Sequence, residues 1–75
     1  MTNQEIGQLL KTARVNAKLT QKQVADKLNI VSRQNIQDYE KGRIGMTSAF
    51  ISRYCNAVGA DWAIIINQKT AIGND

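Results

Sequence analysis

The stretch Thr20-Gln21-Lys22-Gln23-Val24-Ala25-Asp26-Lys27-Leu28-Asn29-Ile30-Val31-Ser32-Arg33-Gln34-Asn35-Ile36-Gln37-Asp38-Tyr39-Glu40-Lys41-Gly42 decides the fold. Thr20 and Gln23 have the spacing of a capping box, in which two side chains satisfy each other's backbone donors at a helix start. Leu19 before the cap and Val24 after it are placed to form a hydrophobic staple. Val24, Ala25 and Leu28 supply the buried stripe of a helix only about eight residues long, which tertiary packing must hold. Asn29-Ile30-Val31 makes a tight turn. Ser32 then caps a further helix, with Val31 and Ile36 at staple positions. That helix runs to about Lys41 and stops at Gly42, which suits a left-handed C-terminal cap.

Working outward, Thr2 and Glu5 repeat the capping-box spacing. Ile6, Leu9, Leu10, Ala13 and Ala17 follow at three- and four-residue steps, predicting an amphipathic helix to about Ala17. On the other side, Arg43-Ile44-Gly45-Met46 reads as a loop. Thr47 caps a fourth helix whose Phe50, Ile51, Tyr54, Cys55 and Val58 share one face, and Gly59 ends it. From Ala60 to Gln68 the character changes. Trp62, Ala63 and the run Ile64-Ile65-Ile66 favour a short strand, because β-branched side chains lose rotamer freedom in helices. The alternative is a fifth helix beginning at Ala60. Residues 69–75 carry no periodicity and read as a flexible tail.

The 75 residues make one domain, 43% hydrophobic, with four aromatic side chains: Tyr39, Phe50, Tyr54 and Trp62. A chain this short buries only about 60% of its unfolded surface, so it leans readily on a second subunit. The formal charge is +4, with eight Lys/Arg against four Asp/Glu in residues 1–43, while Arg53 and Lys69 cancel Asp61 and Asp75 in the remainder. A basic surface concentrated in this way attracts polyanions by releasing their counterions. With no histidine and one cysteine, Cys55, neither a Ser-His or Cys-His nucleophile pair nor a zinc site can be assembled. No glycine-rich loop stands between a strand and a helix to cradle phosphate. The reading is therefore not an enzyme, with no metal and no cofactor. Cys55 lies in an apolar stripe, as a buried thiol does. The N-terminus lacks the layout of a signal peptide. The longest apolar run, Trp62 to Ile66, is too short to span a bilayer. A cytoplasmic location, without membrane partners, is the expectation.

Two short helices joined by a tight turn present a recognition helix to the major groove. The residues Thr20–Leu28 followed by Ser32–Gly42 resemble the Cro/C1-type helix-turn-helix family of phage and bacterial regulators. The threonine-glutamine opening, the alanine five residues on, and the closing Tyr39-Glu40-Lys41-Gly42 carry the resemblance, which covers residues 6 to about 60. It implies an all-α, lambda-repressor-like bundle of four helices, here with a short C-terminal strand added. The expected organisation is a helix-turn-helix DNA-binding domain over 1–59, a dimerisation strand over 60–68, and the tail. Three departures stand out. The turn has three residues where the family has two, Lys18 replaces a common glycine, and Met46 replaces a common proline; the last two positions do not touch DNA in the family.

The resemblance implies a sequence-specific transcriptional regulator, a repressor acting as a homodimer on a palindromic operator. A second possibility is an antitoxin that represses its own operon and binds a toxin protein, since helix four followed by a short apolar strand is similar in layout to HipB-like antitoxins. At about 100° per residue, Ile36 and Tyr39 share the buried face of the recognition helix. Gln34, Gln37, Asp38 and Lys41 then point away, with Arg33 and Asn35 on the flanks. Gln and Asn bond bidentately to adenine, and Asp accepts from cytosine, so Gln34, Asn35, Gln37 and Asp38 are the candidate base readers. Gln21 matches a family position that grips the DNA backbone, and Lys22, Arg33, Lys41 and Arg43 are further candidate phosphate contacts. Arg14 and Glu40 match a structural ion pair of the family. Trp62, Ile64, Ile65 and Ile66 are the expected dimer interface, because a strand with no partner in its own chain must pair with a second copy.

Overall fold

The computed structural model describes residues 1–30 and 32–73, with side chains given outside 68–73; Val31, and with it the staple to Ile36, lies outside the described residues. Among the described residues the architecture is all-helical: α1 (Asn3–Asn16), α2 (Gln21–Lys27), α3 (Arg33–Glu40), α4 (Ser48–Val58) and α5 (Trp62–Gly73).

The caps form as the sequence dictates. Thr2 with Glu5 and Thr20 with Gln23 each make both halves of a capping box, and Ser32 and Thr47 accept from Gln34 and Phe50 backbone N–H groups. The first four helices end in one device, a pair of reversed backbone hydrogen bonds around a left-handed residue. In α1 the N–H of Lys18 donates to Val15 and that of Leu19 to Arg14; in α2 Asn29 donates to Asp26 and Ile30 to Ala25. In α3 Gly42 donates to Tyr39 and Arg43 to Asp38; in α4 Gly59 donates to Asn56 and Ala60 to Cys55. Two of these residues are glycine, but Lys18 and Asn29 hold φ of 60° and 56° with a side chain attached. Asn29 thus gives α2 the same ending that a glycine gives α3 and α4.

The core gathers Leu10 from α1, Val24, Ala25 and Leu28 around α2, Ile36 from α3, and Ile51, Tyr54, Cys55 and Val58 from α4. Tyr39 stacks on Phe50 with ring centroids 4.1 Å apart, fastening α3 to α4. The Arg53 guanidinium donates to the Leu28 carbonyl at 3.0 Å, closing the C-terminal end of α2 from α4. Burial pushes the Cys55 thiol above its ordinary value, with the Asp61 charge adding to the effect.

The expected strand over 60–68 does not form: Trp62, Ile64, Ile65 and Ile66 lie in α5. The physical reason is local. Asp61 accepts from the Ala63 N–H at 2.9 Å, acting as an N-cap, and its carbonyl accepts from Ile65. The three-residue step from Trp62 to Ile65 puts both side chains against the core. A helix also closes its own backbone hydrogen bonds, whereas a strand here needs a second chain. The tail is corrected likewise, since α5 continues through Gly73; residues 74 and 75 lie outside the described residues.

Candidate nucleic-acid interface

The interface is organised around one buried carboxylate. Glu40, at the end of α3, is 5% exposed. Its Oε2 accepts from Arg14 Nε at 2.7 Å and from the Tyr54 hydroxyl at 2.6 Å. Its Oε1 accepts from Arg14 Nη2 at 3.1 Å and from Gln21 Nε2 at 3.2 Å. Arg14 also donates to the Leu19 carbonyl at 2.8 Å, the residue just ahead of α2. Four elements therefore meet on one side chain, and the Arg14–Glu40 pairing read from the resemblance is present. A side-on arginine–carboxylate pair fixes orientation as well as charge. Pairing with Glu40 raises the Arg14 pKa against the opposing effect of burial. Tyr54 is held well above its ordinary value, first by burial and then by its hydrogen bond to Glu40. Tyr54 was legible in the sequence only as a core residue; nothing in the spacing shows that its hydroxyl reaches Glu40.

With its floor fixed, α3 turns a polar row outward. Ile36 and Glu40 are buried, Tyr39 is half-buried, and Arg33, Gln34, Asn35 and Lys41 are exposed. Gln37 and Asp38 are half-buried. Asp38 differs most from the expected free acceptor. Its Oδ1 takes the Gln34 amide at 3.1 Å and Arg43 Nη1 at 3.3 Å, and its side chain is only 23% exposed. Asp38 thereby joins a candidate base reader to a candidate phosphate contact across one helical turn. Gln21 is likewise committed in part, one amide N–H being spent on Glu40. Lys22 pairs with Asp26 at 3.2 Å, both well exposed. A pair of that kind contributes about 0.3–0.5 kcal/mol and leaves the ammonium free to exchange partners.

A polar groove of about 370 Å³ runs between α1 and α3 above Glu40. Gln21, Gln37 and Lys41 line it together with Gln4, Gln8 and Lys11 of α1. These α1 residues were not singled out in the sequence, where a polar helix face carries no mark of what it faces. Among the described residues no group of His, Cys, Asp and Glu could hold a metal ion, and no helix is long and apolar enough to cross a membrane.

Two helices held at a fixed angle, the second offering its polar face, define a helix-turn-helix unit. The chain belongs to the helix-turn-helix domain family, which matches residues 5–63. Among solved structures it is similar to the clp gene regulator ClgR from C. glutamicum, with a TM-score of 0.84 and 21% identity over 95% of this chain and 91% of that one. At that identity the likeness is one of fold. No curated protein matches the chain.

Proposed function

We propose that this protein is a transcriptional regulator that binds double-stranded DNA sequence-specifically, inserting α3 into the major groove, and that it acts as a homodimeric repressor on a palindromic operator. The observation that carries the reading is the outward row of Arg33, Gln34 and Asn35 on a helix whose inward residues, Ile36 and Glu40, are fully engaged. A recognition helix must be rigid to discriminate bases, and the Glu40 hub supplies that rigidity. In this reading Gln34, Asn35 and Gln37 read base edges and Asp38 orients Gln34. Gln21, Lys22, Arg33, Lys41 and Arg43 meet phosphates. The solved neighbour is described as a gene regulator, which agrees with this role. The chemistry is binding, not catalysis.

The second copy is proposed to pack where α5 leaves apolar surface. Trp62 and Ile65 pack on their own core, whereas Ile64 is 56% exposed beside a groove lined by Leu9, Ala13 and Ala17. The antitoxin alternative is not favoured by any further observation, since the apolar segment likened to the strand of HipB-like antitoxins lies in the helix α5.

Binding should weaken steeply with salt. Six or so phosphate contacts per dimer lose roughly three decades of affinity between 50 and 200 mM salt. Lys41→Ala should weaken binding to all duplexes about equally and flatten that slope. Salt-independent binding, or none to any duplex, contradicts the proposal.

A further inference from the structure

Lys18 holds a left-handed backbone conformation, φ 60°, at the exit of α1. Side chains make this region costly, because Cβ crowds the backbone, and glycine occupies it freely. The residue is not needed there for its backbone: the two hydrogen bonds closing α1 are made by main-chain N–H groups, which glycine would supply equally. Nor does its ammonium serve the fold, since among the described residues Lys18 has no ion-pair partner. Strain retained without structural return marks a position held for function.

The surroundings give that function a chemistry. Lys18 lines a groove of about 540 Å³ whose ionisable residues are all basic: Arg14, Lys18, Lys22 and Arg33, joined by Thr20 and Gln21. Arg14 is neutralised by Glu40, and Lys22 is shared with Asp26. Lys18 and Arg33 are both exposed and unpaired among the described residues, and with the exchangeable ammonium of Lys22 they set the potential of the groove. Arg33 is the first residue of α3, so the groove opens beside the recognition helix.

We propose that Lys18 is a DNA-backbone contact: its ammonium and the Arg33 guanidinium clasp one phosphodiester of the strand that borders the groove entered by α3. The contact rests on the DNA-binding reading above and adds to it a residue outside the candidate set, at a position that does not touch DNA in the Cro/C1-type family, where the common glycine has no side chain to reach a phosphate. Because the charge is uncompensated and the ligand is a phosphate, the contact is independent of base sequence.

The test exploits two effects of opposite sign. Lys18→Gly relieves the strained backbone, so its melting temperature should equal or exceed the wild-type value by a few degrees. Its affinity for a 25-base-pair duplex of random sequence should nevertheless fall about five- to tenfold at 0.1 M salt, with the log–log salt slope shallower by about 0.9 for each copy bound. Lys18→Arg keeps the charge and should bind within about twofold of wild type. Unchanged affinity and slope in Lys18→Gly overturn the contact, as does an equal loss in Lys18→Arg. Failure of the wild-type chain to bind the random duplex at 20 mM salt overturns the DNA-binding reading itself. That result is separable because it precedes any substitution.

Discussion

At the scale of single residues, Glu40 and Tyr54 show how a buried charge is made tolerable. The carboxylate has four donors and no unsatisfied lone-pair direction to desolvate, and no buried side-chain polar atom among the described residues lacks a partner. Removing a donor is costly because the charge stays behind. Tyr54→Phe should destabilise the fold by about 1.5–3 kcal/mol, the range for hydrogen bonds to charged groups, measured by urea titration. The same bond predicts a pH dependence. Tyr54 binds its proton more tightly when folded than at the ordinary value of 10.0. Its contribution is therefore complete below that pH and is lost as pH rises above it, where the unfolded chain gives up the proton first. Wild-type stability should fall from about pH 10 upward, and Tyr54→Phe should fall less. Parallel curves for the two proteins would show that the hydroxyl does not titrate against Glu40.

Single residues were also where sequence reading succeeded unevenly. Arg14 and Glu40 were legible because the resemblance pairs them across twenty-six positions. The exposure of Gln34 was legible because helical geometry turns it away from Ile36, whereas Asn35, placed on the flank by the same geometry, is exposed as Gln34 is, and Gln37 and Asp38, placed outward, are half-buried. The second duties of Asp38, Gln21 and Tyr54 were not, since a hydrogen bond between distant side chains depends on helix angles that no local pattern encodes.

At the scale of elements, the close approach of α1 to the end of α3 depends on Gly7. A Cβ on Gly7 would lie 2.5 Å from the backbone oxygens of Tyr39 and Glu40. Main chain cannot step aside as a flexible side chain does, so the helices must separate. Gly7→Ala should therefore cost about 1–3 kcal/mol, as overpacking does, although alanine favours helix. A thermal melt at or above the wild-type midpoint would contradict this packing. Nothing in the sequence marks Gly7 as a contact, because close approach of two helices depends on their relative placement.

The sequence from Ala60 onward points two ways, and the fifth-helix alternative holds where the strand does not. Three adjacent isoleucines carry strand propensity, yet propensity is a weak prior, and the cap at Asp61 with the Trp62–Ile65 step outweighs it. Asp61→Ala should remove about 1 kcal/mol of cap stabilisation and lower helical chemical-shift signatures from Trp62 onward, leaving α1 to α4 unchanged. Extended-strand shifts over residues 62–67 in the wild-type protein would contradict the helix. The first four helices were legible because each carries its own start and stop signals; α5 lacks a periodic apolar stripe to declare its phase.

At the scale of the whole molecule, the proposed function divides recognition between a basic face and a rigid polar helix. In that proposal lysines and arginines around the two-helix unit attract DNA of any sequence, and the Gln34–Asn35–Gln37 surface discriminates among sequences. The central claim is that α3 does the discriminating. It is tested most directly by selecting bound duplexes from a random library with the wild-type protein and with Gln34→Ala. The account predicts that the wild-type protein enriches a defined motif with two-fold symmetry. In Gln34→Ala that motif should persist but lose preference at the base pair Gln34 reads, by about 1–3 kcal/mol. No enriched motif from the wild-type protein, or an identical motif from the variant, would contradict it.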